Sequence, residues 1–311
     1  MKKFIISLIM LISLCEPVRA EKILETEAAP VDVVVAEEIT KERELIQEII
    51  DSSPDDLQKM LKEKRIKANS VYRCNTPLVL SIKSMYLGLR NQDLSAFDNA
   101  AKKVKILIEN GADVNQEICQ DTVRLPLAMV LSIPRELVAL GKIVDEAIDE
   151  QIRSGQGDCD FEGIISKPCK EMTPEDIQLV KTVMNEAFVE SNEFFMPKIM
   201  EILKILVENG ADIDKKDANH RTALHFAADT PAGTSTEALR YLIVQGADVN
   251  VQDIDGNTPL IVAAANKNKE AVDLLIAGGS DKTIRNNIGA TYNEVVGYRE
   301  YLTLDDIRAR Q

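Results

Sequence analysis

Apolar residues recur at helical spacing in the last third of the chain, in short blocks separated by turn signals. In residues 253–283, Asp255-Gly256 marks a turn, because glycine adopts positive φ without a Cβ penalty. Thr258 is placed to cap a helix that begins at Pro259, and Gly278-Gly279 ends a second helix. The apolar face of that second helix is formed by Val272, Leu275 and Ile276. The unit is a turn, a short helix and a longer helix, and it cannot bury its apolar face alone.

The same unit recurs at a nearly constant period. One copy starts at Asp217, 36 residues before Asp253, and another starts at Asn286, 33 residues after it. The shared motifs are Thr222-Ala-Leu-His225, Thr258-Pro-Leu260 and Gly246-Ala-Asp-Val-Asn250. A period of 33 residues with these motifs resembles the ankyrin repeat. The resemblance implies an all-α solenoid of helix–turn–helix repeats with β-turn fingers, which binds another protein.

The rest of the chain is predicted from the same pattern. Ser53-Pro54 starts the second of two N-terminal capping helices, and Asn75-Thr-Pro-Leu78 opens the first clear repeat. The predicted segments are a signal peptide at 1–20, an acidic linker at 21–40, capping helices at 41–70, repeats at 71–115, 116–215, 216–250 and 251–283, and a partial repeat at 284–311.

The repeat at 116–215 is too long for one pair of short helices. Helical patterns cover 136–153 and the residues after Thr173-Pro174, and the stretch 154–171 between them contains several glycines and a proline. The sequence therefore predicts a helical hairpin inserted at about 134–196, with a loop at its tip. Leu125 stands where other repeats have threonine, so the cap of that helix is expected to be altered.

The N-terminus has the three parts of a secretory signal peptide. Lys2-Lys3 give the positive start, Phe4 to Leu14 the apolar run, and Val18-Arg-Ala20 a small-residue site for cleavage after Ala20. This mainly apolar run of eleven residues is too short to span a bilayer. We expect a periplasmic or secreted protein with no integral membrane span. Lipid attachment at Cys15 is an alternative, disfavoured because Leu14 precedes that cysteine.

Four cysteines remain after such a cleavage: Cys74, Cys119, Cys159 and Cys169. An even number in an exported protein suggests disulfides, and three pairings are possible. Cys159 and Cys169 flank one short polar loop, which favours that pair and leaves Cys74 with Cys119. Four buried thiols are the alternative. No Cys-x-x-Cys pair is present, so the sequence predicts no zinc site.

The chain is acidic, with a formal net charge of −14, which disfavours nucleic acid and anionic membrane surfaces and favours a partner with a basic patch. The resemblance to ankyrin repeats implies that His225 hydrogen-bonds neighbouring turns, and His220 is expected to be exposed at a turn. The acid-rich stretch around Gly256 does not fit a helix–loop–helix calcium site, since residue 262 is valine. The sequence contains no recognisable active site, and we expect neither an enzyme nor a cofactor or metal.

The resemblance places partner binding on the finger tips and on the ends of the inner helices. The residues at those positions are Ala218, Asn219, Arg221, Ile254, Asp255 and Asn257 on the fingers, and Asp229 and Asn266 at the helix ends. Their mutation is expected to weaken binding and to leave stability nearly unchanged. We expect a monomer apart from its partner. An envelope structural or lipid-anchored scaffold, an effector acting on a host protein, and a hydrolase-like activity in the inserted hairpin remain alternatives.

Overall fold

The computed structural model describes residues 33–91, 95–116, 125–155, 158–161, 164–230 and 236–295. Helices carry the fold of these residues, and the strands among them form one short hairpin. In chain order the elements are α1 Val33–Asp51, α2 Pro54–Lys62, α3 Pro77–Asn91, α4 Ser95–Glu109, α5 Pro126–Ser154, β1 Asp158–Phe161, β2 Ile165–Pro168, a short 3-10 helix Cys169–Glu171, α6 Pro174–Glu208, α7 Ala223–Ala228, α8 Glu237–Val244, α9 Pro259–Ala265 and α10 Lys269–Ala277.

The helices form two layers. The odd-numbered helices α1 to α9 pack side by side in one layer, and the even-numbered helices α2 to α10 pack in the other. One apolar cluster runs between the layers from Ile49 to Tyr292. Each helix pair therefore buries its apolar face against its neighbours, and the predicted all-α repeat fold is confirmed.

The first helix is longer than the sequence predicted. It begins at Val33, inside the stretch 21–40 that was predicted to be a linker. Ala36, Glu37 and Glu38 favour helix, and no glycine or proline separates them from the apolar face that begins at Leu45. The linker boundary at residue 40 is therefore wrong.

A buried lysine fastens the end of α1 to the stack. Lys103 of α4 is 1% exposed, and its Nζ donates to the carbonyl oxygens of Ile49 (3.2 Å) and Ile50 (2.7 Å). These carbonyls belong to the last turn of α1, where the helix has no backbone N–H donors of its own to offer them. Burial lowers the pKa of Lys103 to about 8, against the opposing effect of Asp51. The capping pair α1 and α2 is thereby tied into the first repeat.

The extra residues of the first repeat lengthen its helices. Helices α3 and α4 have 15 residues each, whereas α9 and α10 of the regular repeat have 7 and 9. The N-termini of two helices agree with the sequence signals. Ser53 caps α2 in a capping box with Asp56, and Leu125 before α5 makes no side-chain cap.

The insertion at 134–196 extends the two helices of its repeat and is not a separate hairpin between them. Helix α5 runs for 29 residues through Pro134, and α6 runs for 35 residues through Pro197. Proline is disfavoured inside a helix, because it removes a helical hydrogen bond and crowds the preceding turn. Ile133 and Met196, next to the two prolines, are buried in the main core. This packing keeps both helices continuous past the prolines. We call residues 134–197 the arm.

The described residues at the tip of the arm form two strands and a short helix, where the sequence predicted a loop at 154–171. Strands β1 and β2 pair antiparallel, and a disulfide joins Cys159 and Cys169 with Cα atoms 4.8 Å apart, as predicted. These cysteines form a second apolar cluster with Ile148 and Val180, separate from the main core. Cys74 is also disulfide-bonded. Its predicted partner Cys119 lies outside the described residues.

A ladder of side-chain hydrogen bonds joins the loops that follow the even-numbered helices. In each loop, an Asn or Asp oxygen accepts the backbone N–H of an Asp in the next loop, at 2.7 to 3.0 Å. The bonds are Asn69 to Asp113, Asn115 to Asp212, Asp214 to Asp248 and Asn250 to Asp281. The ladder begins at the capping pair, so that pair is stacked in the same way as the repeats.

No helix among the described residues is long and apolar enough to cross a membrane. The predicted signal peptide 1–20 and the last sixteen residues of the predicted partial repeat, 296–311, lie outside the described part of the chain.

Candidate functional site

Three fingers project from the end of the stack, and each is built by one acceptor side chain. Asp217, Asp253 and Asn286 each accept the backbone N–H four residues later, at 2.7 to 2.9 Å. The backbone N–H of each of these three residues donates in return to the carbonyl of that same residue four positions later, at 2.9 to 3.0 Å. The residue at the turn has positive φ in all three: His220 at 58°, Gly256 at 76° and Gly289 at 79°. His220 is exposed, as predicted.

Neighbouring fingers are joined through their backbones. The N–H of Ile254 donates to the carbonyl of Asn219, and the N–H of Asn287 donates to the carbonyl of Asp255, both at 2.9 Å. The approach at Gly256 is so close that a Cβ there would lie 2.6 Å from Asn287 Oδ1 and 2.9 Å from its backbone N. Glycine is therefore needed at this position both for its φ and for its missing side chain.

His225 holds two repeats together from inside the stack. Its Nδ1 accepts the N–H of Thr222 (3.1 Å), and its Nε2 donates to the carbonyl of Asn257 in the next finger (3.0 Å). This pattern requires the neutral ring with its hydrogen on Nε2. Burial lowers the pKa of His225, against the opposing effect of its bond to Asn257. The structural role predicted for this histidine is what the geometry shows.

The fingers and the inner helices enclose an open groove of about 580 Å³. Seven of the eight predicted contact residues line it, and Ala218 does not. Its floor is partly apolar, with Ile261, Val262 and Ala265 of α9 and Val295 beyond the last finger. Seven predicted residues thus face the same space, although they come from two repeats. They are Asn219, Arg221, Asp229, Ile254, Asp255, Asn257 and Asn266.

Asp229 is the centre of a hydrogen-bond network in the groove. Its Oδ2 accepts from Arg221 Nη2 (2.8 Å) and from Arg135 Nη1 of the arm, and its Oδ1 accepts from Asn266 Nδ2 (3.0 Å). The guanidinium of Arg221 also lies over the ring of Phe226, 4.2 Å from its centroid, which adds a cation–π contact. Asp229 is only 15% exposed.

This network corrects the expectation that all eight residues are dispensable for stability. Arg221, Asp229 and Asn266 hold one another, so truncating any of them leaves a partly buried polar group without its partner. Asn257 also takes part in hydrogen bonds that hold the repeats together, which we call the frame. Its Oδ1 accepts from Asn286 Nδ2 at 2.9 Å, and its carbonyl accepts from His225 Nε2. Ala218, Asn219, Ile254 and Asp255 are exposed, so for these four the expectation of nearly unchanged stability stays a prediction.

The structure adds one surface residue that the sequence interpretation missed. Ile288 is 86% exposed on the third finger, and Ile254 is 56% exposed on the second. Aligning Asn286 with Asp253 places Ile288 at the same finger position as Asp255, so the repeat pattern contained the signal. Two exposed isoleucines therefore flank the carboxylate position of Asp255 on adjacent fingers.

The described residues contain no group of three or more His, Cys, Asp or Glu side chains that could hold a metal ion. The groove offers hydrogen-bonding groups, carboxylates and apolar surface, which are the components of a recognition surface.

The two-layer stack and its fingers define an all-α repeat protein. Residues 197–286 match the family model of ankyrin repeats in three copies. A fowlpox virus protein (strain NVSL) that is named as an ankyrin repeat protein is 38% identical over 87 residues. Those residues are 28% of this chain and only 12% of the relative. Residues 197–286 thus carry ankyrin repeats, a type of repeat that typically serves protein–protein interaction.

Proposed function

We propose that this chain binds another protein in the groove between the last three fingers and the inner helices. The observation that carries the proposal is the convergence of exposed finger residues on one open groove of about 580 Å³. Ile254 and Ile288 offer apolar contact on adjacent finger tips, and Asp255 offers a carboxylate beside them.

The chemistry of these residues defines the kind of partner. A segment with an aliphatic or aromatic side chain next to a lysine or arginine fits two isoleucines beside a carboxylate. The net charge of −14 attracts such a basic segment over a distance and repels an acidic one. We therefore expect a basic, partly apolar segment on the partner.

The test is crosslinking of the tagged full-length protein in its native cells, with a finger variant and a matched control. The finger variant is Ile254→Ser with Asp255→Ser and Ile288→Ser, which changes only exposed side chains. The control is Val244→Ser, because Val244 is 75% exposed on α8 in the other layer. A protein captured by the wild type and the control and lost from the finger variant supports the groove. A protein that the finger variant retains contradicts it.

We further propose that the chain is exported and acts in the periplasm or outside the cell. The charged, apolar and small-residue parts of residues 1–20 support this, as does a tip disulfide, since disulfides persist in oxidising compartments. The mass of the protein isolated from its native cells tests the proposal. An N-terminus at Glu21 is expected; a lipid-modified Cys15 would favour the anchored alternative, and an intact Met1 would contradict export.

A further inference from the structure

Each long helix contains a proline at the base of the arm. Pro134 of α5 follows Ile133 of the main core, and Pro197 of α6 follows Met196 of the same core. Proline has no N–H for the helical hydrogen bond and crowds the preceding turn, so helices bend most readily there. The arm therefore leaves the stack at the two positions where its helices resist bending least.

The residue after each proline is a cation that is paired with another repeat. Arg135 donates from Nη1 to Asp229 Oδ2 on the following repeat, and Lys198 donates from Nζ to Asp98 Oδ1 on the preceding repeat. The two pairs thus hold the base of the arm from opposite sides. On the preceding side the rings of Phe195 and Phe97 also pack, with centroids 4.5 Å apart.

The pair on the following side joins the arm to the groove, because Asp229 lines the groove. Asp229 Oδ2 accepts from two guanidinium groups, and these differ in exposure. Arg221 is 18% exposed and lies on Phe226, whereas Arg135 is 56% exposed. An incoming cation would replace Arg135 before Arg221.

We propose that these two ion pairs form a clamp that fixes the direction of the arm, and that a cationic side chain entering the groove opens it by taking the place of Arg135 on Asp229. With that pair broken, α5 bends at Pro134 and the tip of the arm changes position. An exposed ion pair is weak and screened by salt, so the clamp is reversible. Coupling of this kind is reciprocal: loss of Arg135 strengthens the binding of a cation in the groove. The cation step rests on the proposed function, whereas the clamp does not.

The clamp is tested by measuring the distance between the arm and the stack in the full-length chain. Spin labels are attached through ketone amino acids at Leu179 on the arm and Val244 on α8, which are 48% and 75% exposed. Pulsed electron paramagnetic resonance then gives the distribution of label distances. We expect one narrow distribution for the wild type and a shifted, broader one for Arg135→Gln and for Lys198→Gln.

The matched control is Lys181→Gln, which removes the pair of Lys181 with Asp149 inside the arm and leaves the base intact. Its distribution should equal that of the wild type. Sodium chloride should broaden the wild-type distribution and leave an Arg135→Gln, Lys198→Gln double variant unchanged. A wild-type distribution in Arg135→Gln overturns the clamp.

The coupling to the groove is tested with arginine amide as the cation. Added to the wild type, it should shift the distribution further than sodium chloride at the same ionic strength, and it should have no such effect in Asp229→Asn. An arm that responds equally to both salts overturns the coupling, even when the crosslinking experiment identifies a partner. A failed crosslinking experiment with a positive distance result instead rejects the proposed partner surface and retains the clamp.

Discussion

At the scale of the residue, single positions in the fingers are fixed by how closely the next finger approaches. Gly256 and Gly289 occupy equivalent turns with φ of 76° and 79°. A Cβ at Gly256 would meet Asn287 at 2.6 Å, whereas a Cβ at Gly289 would meet nothing within 4 Å. The sequence shows two glycines of the same kind, but only the structure separates their roles.

These glycines provide a matched pair of substitutions. Gly289→Ala should cost about 1 kcal/mol of unfolding free energy, the cost of positive φ for an L residue. Gly256→Ala should cost roughly 1–3 kcal/mol more, because the finger that carries Asn287 must move. Urea unfolding of both variants checks the difference. Equal losses would mean that the fingers are not in close contact.

His225 makes stability depend on pH. Burial lowers its pKa in the folded state below the ordinary value of 6.5, so the folded protein binds fewer protons than the unfolded chain in this range. The stability that neutral His225 contributes to the folded state is complete above pH 6.5. It is lost as the pH falls from 6.5 towards the pKa of His225 in the folded state. The slope is at most about 1.4 kcal/mol per pH unit.

Urea unfolding at pH 7.5 and pH 5.5 tests this dependence. The loss of stability on acidification should be smaller in His225→Gln than in the wild type. His220→Asn is the control, since His220 is exposed and asparagine tolerates its positive φ. A control that flattens the pH dependence as much as His225→Gln would show that the buried ring is not responsible.

At the scale of the element, the arm has its own small core at the tip. The cluster of Ile148, Cys159, Cys169 and Val180 is separate from the main core, and the disulfide closes a loop with a sequence separation of 10. A loop this short gains roughly 2–3 kcal/mol from its cross-link. That stabilisation is local, because the tip and the stack do not share a core.

Replacing both cysteines by serine should therefore loosen the tip alone. In Cys159→Ser/Cys169→Ser we expect faster amide hydrogen exchange in β1 and β2 and an unchanged midpoint for unfolding of the stack. Hydrogen exchange followed by mass spectrometry resolves the two regions. A large fall in the stack midpoint would show that the tip is integral to the repeats.

At the scale of the whole molecule, hydrogen bonds between adjacent repeats couple the stability of each repeat to that of the next. The loop ladder from Asn69 to Asp281 crosses each junction once, and at the long repeat Asn115 makes two bonds, to Asp212 N and to the carbonyl of Gly210, both at 2.8 Å. Stability of such a stack is a sum of repeat and interface contributions. A weakened interface lowers the cooperativity of the entire chain.

Asn115→Ala should remove about 1–2 kcal/mol from this junction and broaden the unfolding transition, because the two halves of the stack then unfold less cooperatively. Asn110→Ala is the control, because the side-chain amide of Asn110 donates to the carbonyl of Ile106 in the adjoining helix α4 and not to another repeat. Calorimetric melting of both variants makes the comparison. Identical melting curves would argue against the ladder as a coupling device.

The repeat period, the caps at Ser53 and Thr258, and the pairing of Cys159 with Cys169 could be predicted from the sequence. These features depend on residues close together in the chain, where turn and cap chemistry has local rules. The start of α1 at Val33 and the continuity of α5 and α6 through their prolines could not be predicted. They depend on packing against other helices, which overrides local preference.

The candidate site divides in the same way. The sequence by itself determined which positions lie on the fingers, because their spacing repeats, and seven of the eight do line one groove. Only the tertiary structure decided that Arg221, Asp229, Asn257 and Asn266 belong to the frame and that Ile254 and Ile288 lie exposed. Spacing fixes a residue's place within its own repeat. Whether its side chain is bound or exposed depends on groups that reach it from other repeats, such as Arg135 of the arm.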